Sequence, residues 1–201
     1  MLVIGLTGGI GTGKSEVSRI LRELGAEVID ADRVGHEAYT PNTAIWREVV
    51  DIFGERVLGP NGEIDRKRLG AIVFNDPQAM SALNAIMHPR MAGIIRERIE
   101  GLRGQGVDLV VLEAALLIEA GWEGLVDEVW VTHSTGEQVE ERLMRRNGLT
   151  EEQVRSRVQA QMPFEERSRH AQVVVHNSGS LEELRREVEA LCQSKVGGKV
   201  G

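Results

Sequence analysis

The sequence predicts an α/β protein, a three-layer sandwich around a five-stranded parallel sheet, with a helical lobe and a short helical lid. Three observations predict it. The chain opens on an apolar strand, a glycine-rich loop and an amphipathic helix; five short apolar runs alternate with helical segments; and a long helical stretch separates the second run from the third.

Taken in order, Leu2 to Leu6 reads as a strand, and Val17, Ile20, Leu21 and Leu24 recur at helical spacing behind the loop, with Gly25 placed as a helix-ending glycine. Ala26 to Asp30 is a second strand, so the chain begins as a βαβ unit whose right-handed crossover brings the loop and Asp30 to one sheet edge. From about residue 33 to 105 the pattern is helical, broken at Pro41, Gly54, Gly59-Pro60-Asn61-Gly62, Asp76-Pro77 and His88-Pro89. Helices this numerous between two strands read as a substrate-binding lobe.

Val107 to Glu113 is a third strand, apolar enough to be covered on both faces, followed by Asp127 to Thr132 and Gln172 to Asn177. Gln138 to Arg146 reads as a helix, and Thr150-Glu151-Glu152-Gln153 and Ser180-Leu181-Glu182-Glu183 are capping boxes opening two more. One domain is expected: a core of residues 1–32, 106–146 and 171–194, a lobe at about 33–105, a lid at about 147–170 and a frayed tail at 195–201.

The loop carries the most specific chemistry. Gly8-Gly9-Ile10-Gly11-Thr12-Gly13-Lys14-Ser15 is a G-x-x-x-x-G-K-[ST] phosphate loop, the mark of a P-loop NTPase sandwich. Its glycines let backbone N–H groups turn inward around phosphate oxygens, and the following helix adds its positive dipole end. Lys14 is placed to reach the β and γ phosphates, and Ser15 to ligate Mg²⁺.

Composition narrows the classes. A formal charge of -7 and a pI near 5.4 argue against a nucleic-acid binder, whose footprint is a basic face. A single cysteine, Cys192, excludes a disulfide framework and a multi-cysteine zinc site and fits a reducing compartment; it reads as a packed thiol. No signal peptide or membrane span is read, so a cytoplasmic location without membrane association is expected.

Several constellations surround the loop. Asp30-Ala31-Asp32 reads either as a pair of capping or solvated carboxylates or as a source of the group that orients an attacking hydroxyl; of the two, Asp32 lies further past the strand. Glu113 closes an apolar strand as a Walker B acid does, and would hold Mg²⁺ directly or through water. Glu119 is either a second acid of the site or helix surface. Arg142, Arg145, Arg146, Arg155, Arg157, Arg167 and Arg169 are interleaved with glutamates, which reads either as a solvated face or as a lid whose cations neutralise a moving phosphoryl group. Arg142 and Arg146 lie one helical turn apart and can face one ligand. His88, His170 and His176 read as structural, and Trp46, Trp122 and Trp130 as packing residues.

A regulatory GTPase would need an N-K-x-D element, which is absent, and a motor or transporter ATPase would be larger; a small-molecule kinase fits best. The alternatives are a nucleoside or nucleotide kinase and a nucleotide-binding module without catalysis. Ile4 to Ser15, Val28-Ile29-Asp30-Ala31-Asp32, Phe53-Gly54, Ile64 to Leu69, Val73-Phe74, Leu83 to Pro89, Leu116 to Glu119, Arg142-Leu143 with Arg146, Ala160-Gln161 and Asn177-Ser178-Gly179 together resemble the dephospho-CoA kinase family over nearly the whole chain.

The resemblance implies transfer of the ATP γ-phosphoryl group to the 3′-hydroxyl of dephospho-CoA, giving CoA and ADP in the last step of coenzyme A synthesis, with Mg²⁺. It implies ATP binding by Gly9, Ile10, Gly11, Thr12, Gly13, Lys14, Ser15, Glu16, Arg142, Arg146, Asn177 and Gly179, and acceptor binding by Thr7, Asp32, Arg66, His88 and Glu119. Asp32, Lys14 and Arg146 become the catalytic set, and Ser15 and Glu113 the metal ligands. The expected assembly is a monomer or weak homo-oligomer. The chain departs from the family pattern at Glu16, usually threonine, at Ala115, usually proline, and at Glu113, Asn147 and Gln172, where aspartates are frequent.

Overall fold

A computed structural model describes residues 1–196, so the tail from residue 197 onward lies outside the described residues. Its strands are β1 (Leu2–Gly8), β2 (Glu27–Asp30), β3 (Leu109–Glu113), β4 (Glu128–His133) and β5 (Val173–His176). They form one sheet in the order β2-β3-β1-β4-β5. β1 sits at its centre and runs parallel to both neighbours, Ile4 standing opposite Val111 on one side and Glu128 on the other. β4 pairs with β5 in parallel. A central parallel strand is covered on both faces, and the burial of Val3 through Gly8 in β1 follows from that.

α1 (Lys14–Glu23) leaves the loop with Val17, Ile20 and Leu21 fully buried. The Gly25 and Ala26 N–H groups return to the Arg22 and Leu21 carbonyls, a Schellman end that turns the chain into β2. α9 (Leu181–Val196) packs against α1, and Leu184, Val188 and Cys192 join Ile4, Leu6, Trp130 and Val175 in one core cluster. Burial pushes the Cys192 thiol up, which keeps it protonated and unreactive. Lys195, read in the sequence as the first residue of a frayed tail, is helical, and its Nζ lies 2.6 Å from Glu128 Oε1.

The chain divides into two compact units, one of residues 1–29 and the chain from 99 onward, the other of residues 30–98. The second unit holds α2 (Ala31–Ala38), α3 (Ala44–Phe53), α4 (Arg66–Val73) and most of α5 (Pro77–Gly104). Three of these helices begin on side-chain caps: Asp30 accepts the Asp32 and Arg33 N–H groups, Thr43 accepts that of Trp46, and Asp65 accepts those of Lys67 and Arg68. Asp76 does the same for α5, with Pro77 as its first residue.

His88-Pro89, read in the sequence as a break, is not one: α5 runs through Pro89. An interior proline costs roughly 3 kcal/mol through a lost hydrogen bond and a ring clash. Here Leu83, Met87, Met91, Ile95 and Ile99 form an unbroken four-residue stripe and are all buried. Burial of side chains of this kind contributes about 1.5–3 kcal/mol each, which outweighs one defect.

In the first unit, α6 (Gly136–Asn147), α7 (Glu151–Gln159) and α8 (Phe164–Arg167) follow β4. Val139, Leu143 and Val154 make a small core of their own, onto which Ile10 of the phosphate loop and Leu149 pack. Both capping boxes form: Thr150 and Gln153 bond reciprocally, as do Ser180 and Glu183. With so small a core beneath α7, its cap carries much of its order. Thr150→Ala is expected to cost ~1 kcal/mol locally, seen as roughly fivefold faster amide exchange in α7 with exchange in β1 unchanged.

Candidate active site at the phosphate loop

The loop between β1 and α1 is held by groups from the ends of β4 and β5 and from the middle of α6. Lys14 Nζ donates to the Gly8 carbonyl at 3.1 Å, and the Thr12 hydroxyl donates to Gly9 O at 2.8 Å while lying 2.6 Å from the Thr132 hydroxyl. Arg142 Nη1 reaches Gly11 O at 3.3 Å, and Asn177 Nδ2 donates to Thr12 O at 3.0 Å. Asn177 is itself fixed: its N–H donates to the His133 carbonyl at 2.7 Å, and its carbonyl accepts from Ser134 Oγ and Arg142 Nη2 at 2.7 and 2.9 Å. Gly13 has φ 97°, and a Cβ there would stand 2.1 Å from Asn177 Nδ2, so both backbone and neighbour demand glycine.

A cleft of about 720 Å³ opens over this loop. Gly9, Ile10, Gly11, Gly13, Lys14, Ser15, Glu16, Arg142, Arg146, Asn177 and Gly179 all line it, as does Arg145. Thr12 does not; its side chain is buried beneath the loop. Glu16, the acid that departs from the family pattern, is paired with Arg19, whose Nε lies 3.1 Å away, so its charge is answered before an anion arrives. Ser15 Oγ donates to Glu113 Oε1 at 3.2 Å, which sets two hard oxygen donors from α1 and the end of β3 side by side. Arg146 is exposed, its Nε donating to Asn147 Oδ1 at 3.2 Å.

Thr7 and Glu119 lie in a different environment. Arg167, 2% exposed, donates to Thr7 Oγ1, Ala115 O and Glu119 Oε1, each at 3.1 Å. Sequence reasoning left Arg167 within a basic run of two readings; it is a buried cation with a full set of acceptors, the condition under which such a charge is tolerated. Gln161, which the sequence carries only as part of the resembling motif Ala160-Gln161, also belongs to the loop's surroundings. Its Oε1 accepts the Ile10 N–H at 2.7 Å, tying the segment after α7 to the loop.

Asp32, Arg66 and His88 belong to the second unit. Asp30 takes the capping role there, leaving Asp32 exposed in the first turn of α2. Arg66 opens α4 with Nη1 3.1 Å from Nδ1 of His36, and His88 is half-buried on α5. Trp130 and Trp122 are buried, and Trp46 is half-buried, its indole N–H donating to Gly62 O at 2.8 Å. His170 Nδ1 lies 2.6 Å from Glu123 Oε1.

His133, at the end of β4, stacks on Phe164 with ring centroids 3.8 Å apart and meets the edge of His176. Burial first, and the neighbouring His176 second, hold its imidazole below the ordinary value against an opposing pull from Glu165. The unfolded chain therefore takes up this proton first: stability is intact above pH ~6.5 and declines as the pH falls below it. His133→Phe, which keeps the stack, is expected to lose less melting temperature than the parent between pH 7.5 and 5.5. Gly13→Ala is expected to abolish the rise in melting temperature that tripolyphosphate or Mg-ATP produces, with the far-ultraviolet circular dichroism unchanged.

The profile of the dephospho-CoA kinase family matches residues 2–183. A dephospho-CoA kinase from Geobacter sulfurreducens is 49% identical over 191 residues, covering 95% of this chain and 97% of that one. Among solved structures, a dephospho-CoA kinase from Campylobacter jejuni is 29% identical with a TM-score of 0.74, covering 98% of both chains. A shikimate kinase from Acinetobacter baumannii, 16% identical with a TM-score of 0.57 over 100% of this chain and 96% of its own, shares the fold alone. A phosphate loop at the carboxyl edge of a five-stranded sheet, with this coverage, places the chain in the dephospho-CoA kinase family, on the P-loop kinase fold.

Proposed function

We propose that this chain transfers the γ-phosphoryl group of ATP to the 3′-hydroxyl of the dephospho-CoA ribose, giving CoA and ADP, in the cytoplasm. The observation that carries the reading is the Ser15–Glu113 pair, 3.2 Å apart beside the loop lysine, in a chain that matches the family over nearly its whole length. Among the described residues no cluster of three metal-ligating acids, histidines or cysteines occurs. Mg²⁺ fits nonetheless, because it takes one or two protein oxygens and completes its shell with phosphates and water. Ser15 and Glu113 would hold it, and when bound it neutralises charge on the β and γ phosphates.

The loop N–H groups bind the phosphates and Lys14 exchanges the Gly8 carbonyl for phosphate oxygens. Arg146, exposed on the cleft wall, adds positive charge where the transferred group carries its own. Arg142 is committed to Gly11, Ser134 and Asn177, so its role is to shape the nucleotide side of the cleft. Asn177 and Gly179 border the adenine. Asp32 takes the proton of the 3′-hydroxyl as its oxygen bonds the γ phosphorus and the bond to the β–γ bridging oxygen breaks. The segment from about residue 147 to 170 is the lid that excludes water. Arg66, His88 and the partly exposed Glu119 are the acceptor-side residues, while Thr7, fully buried, is left to hold Arg167. No helix among the described residues is long and apolar enough to cross a membrane.

ADP release is expected with dephospho-CoA and not with adenosine, dCMP or shikimate; turnover with one of the others would replace the acceptor, and no acceptor-dependent turnover would favour a binding module. Asp32→Asn should lower kcat by about 10²-fold or more with ATP affinity nearly unchanged, the scale for a general base. An unaltered kcat would exclude Asp32 from that role. Lys14→Ala should impair turnover through lost phosphate stabilisation.

A further inference from the structure

Gln161, just past α7, lays its side-chain amide on the first half of the phosphate loop. Its Oε1 accepts the Ile10 N–H at 2.7 Å and lies 3.5 Å from where a Cβ on Gly9 would stand. Lys14 Nζ comes to rest on the same stretch, at the Gly8 carbonyl. On the reading above, Asn177 and Gly179 border the base at the other end of the loop, where Asn177 holds the Thr12 carbonyl beside Gly13. A triphosphate laid along the loop with its base at that end brings its terminal phosphate to Lys14, and so to Gln161.

Two cavities meet at this point. Gly9 and Ile10 line both the cleft of about 720 Å³ over the loop and a second hollow of about 440 Å³ against α7. Val139, Val158 and the stacked rings of His133 and Phe164 wall the second, and the half-buried Gln161 lines it. An N–H that borders open space is satisfied by water, so the fold does not require a protein acceptor on Ile10. Nor does the segment need this bond to stay attached, because Arg167, a little further on, is buried against Thr7 and Glu119.

The chemistry of the amide says what else it can do. An N–H only donates, so the oxygen of Gln161 faces Ile10 and the nitrogen faces away from it. Among the described residues no group accepts a hydrogen bond from that Nε2. Arg155, Arg157, Arg167 and Arg169 crowd the flanking sequence, yet the position on the loop carries a neutral amide. A cation there would serve a phosphate and forfeit the Ile10 N–H; a carboxylate would hold the N–H and repel the phosphate. Only a group that accepts and donates serves both.

We propose that Gln161 is a catalytic contact of the phosphoryl transfer: with Oε1 on the Ile10 N–H, its Nε2 donates to a terminal oxygen of the γ phosphate, a place that ADP leaves empty. The proposal rests on the ATP-donor reading above and adds to it a residue that tells triphosphate from diphosphate. The bond to Ile10 aims the donor before the nucleotide arrives, and a hydrogen bond to an anion is among the stronger ones. No bond or proton moves beyond those already assigned to the transfer.

Calorimetric binding of Mg-ADP and of the Mg complex of the β,γ-imido analogue of ATP, with no acceptor present, tests it. Gln161→Glu keeps an oxygen for the Ile10 N–H and exchanges the donor for a second oxygen; it is expected to weaken the imido analogue about tenfold or more with ADP within about threefold. Gln161→Ala is expected to weaken the analogue about fivefold more than it weakens ADP, and both variants to lower kcat with dephospho-CoA about tenfold or more. Equal loss of the two nucleotides in Gln161→Ala, or a Gln161→Glu protein that keeps the parent's preference between them, would overturn the proposal, since the amide would then only steady the loop. A parent protein that binds neither nucleotide would remove the donor reading and the proposal with it. A parent that binds both and turns over no dephospho-CoA loses the acceptor alone, and the nucleotide comparison still decides the role of Gln161.

Discussion

A loop that turns its N–H groups toward an anion turns carbonyls the other way, and those carbonyls need donors of their own. The rest of the first unit is arranged around that need. Lys14, Thr12, Arg142 and Asn177 answer the carbonyls of Gly8, Gly9, Gly11 and Thr12. Three of the four donors come from outside the stretch that forms strand and loop, or from its far end. Asn177 follows β5, Arg142 lies on α6, and both are locked by Ser134 after β4. The order β1-β4-β5 on this side of the sheet is what brings those three strand ends to the loop. A cradle preorganised in this way does not have to be assembled at the expense of binding energy.

The segment from α6 to α8 touches the same loop by three different kinds of contact. Ile10 packs on the Val139, Leu143 and Val154 cluster, the Ile10 N–H donates to Gln161, and Arg167 is buried against Thr7 at the end of β1. An apolar contact tolerates sliding, a single hydrogen bond tolerates exchange, and a buried guanidinium with fixed acceptors tolerates neither without a penalty of about 3–5 kcal/mol when its partner is lost. The stiff attachment is therefore at Arg167.

What the sequence made legible was whatever local chemistry decides. The phosphate loop, both capping boxes, the Gly25 helix end and the five strands could be read because each depends on residues within a few positions of one another. Strand ends differed by one or two residues, since pairing with a neighbour decides where a strand stops. His88-Pro89 misled because proline is a local signal, whereas the stripe from Leu83 to Ile99 that overrides it extends over four turns. The Asp30 and Asp32 pair stayed ambiguous for the opposite reason: either could cap, and only the backbone of α2 shows that Asp30 does. Arg167 was not legible at all. In sequence it is one arginine among many beside two glutamates, and its burial arises from Thr7, Ala115 and Glu119, positions far removed along the chain.

The placement of β1 at the middle of the sheet has a consequence for synthesis. Its partners are Leu109–Glu113 and Glu128–His133, so the first strand leaves the ribosome more than a hundred residues before anything can pair with it. Residues 30–98, whose contacts are largely their own, emerge in the interval and can fold while the strand waits. At about 5–20 residues per second that wait lasts on the order of ten seconds, with only α1 of its eventual core partners made early in it. The segment that defines the nucleotide site is thus made well before its partner strands and is completed only with them.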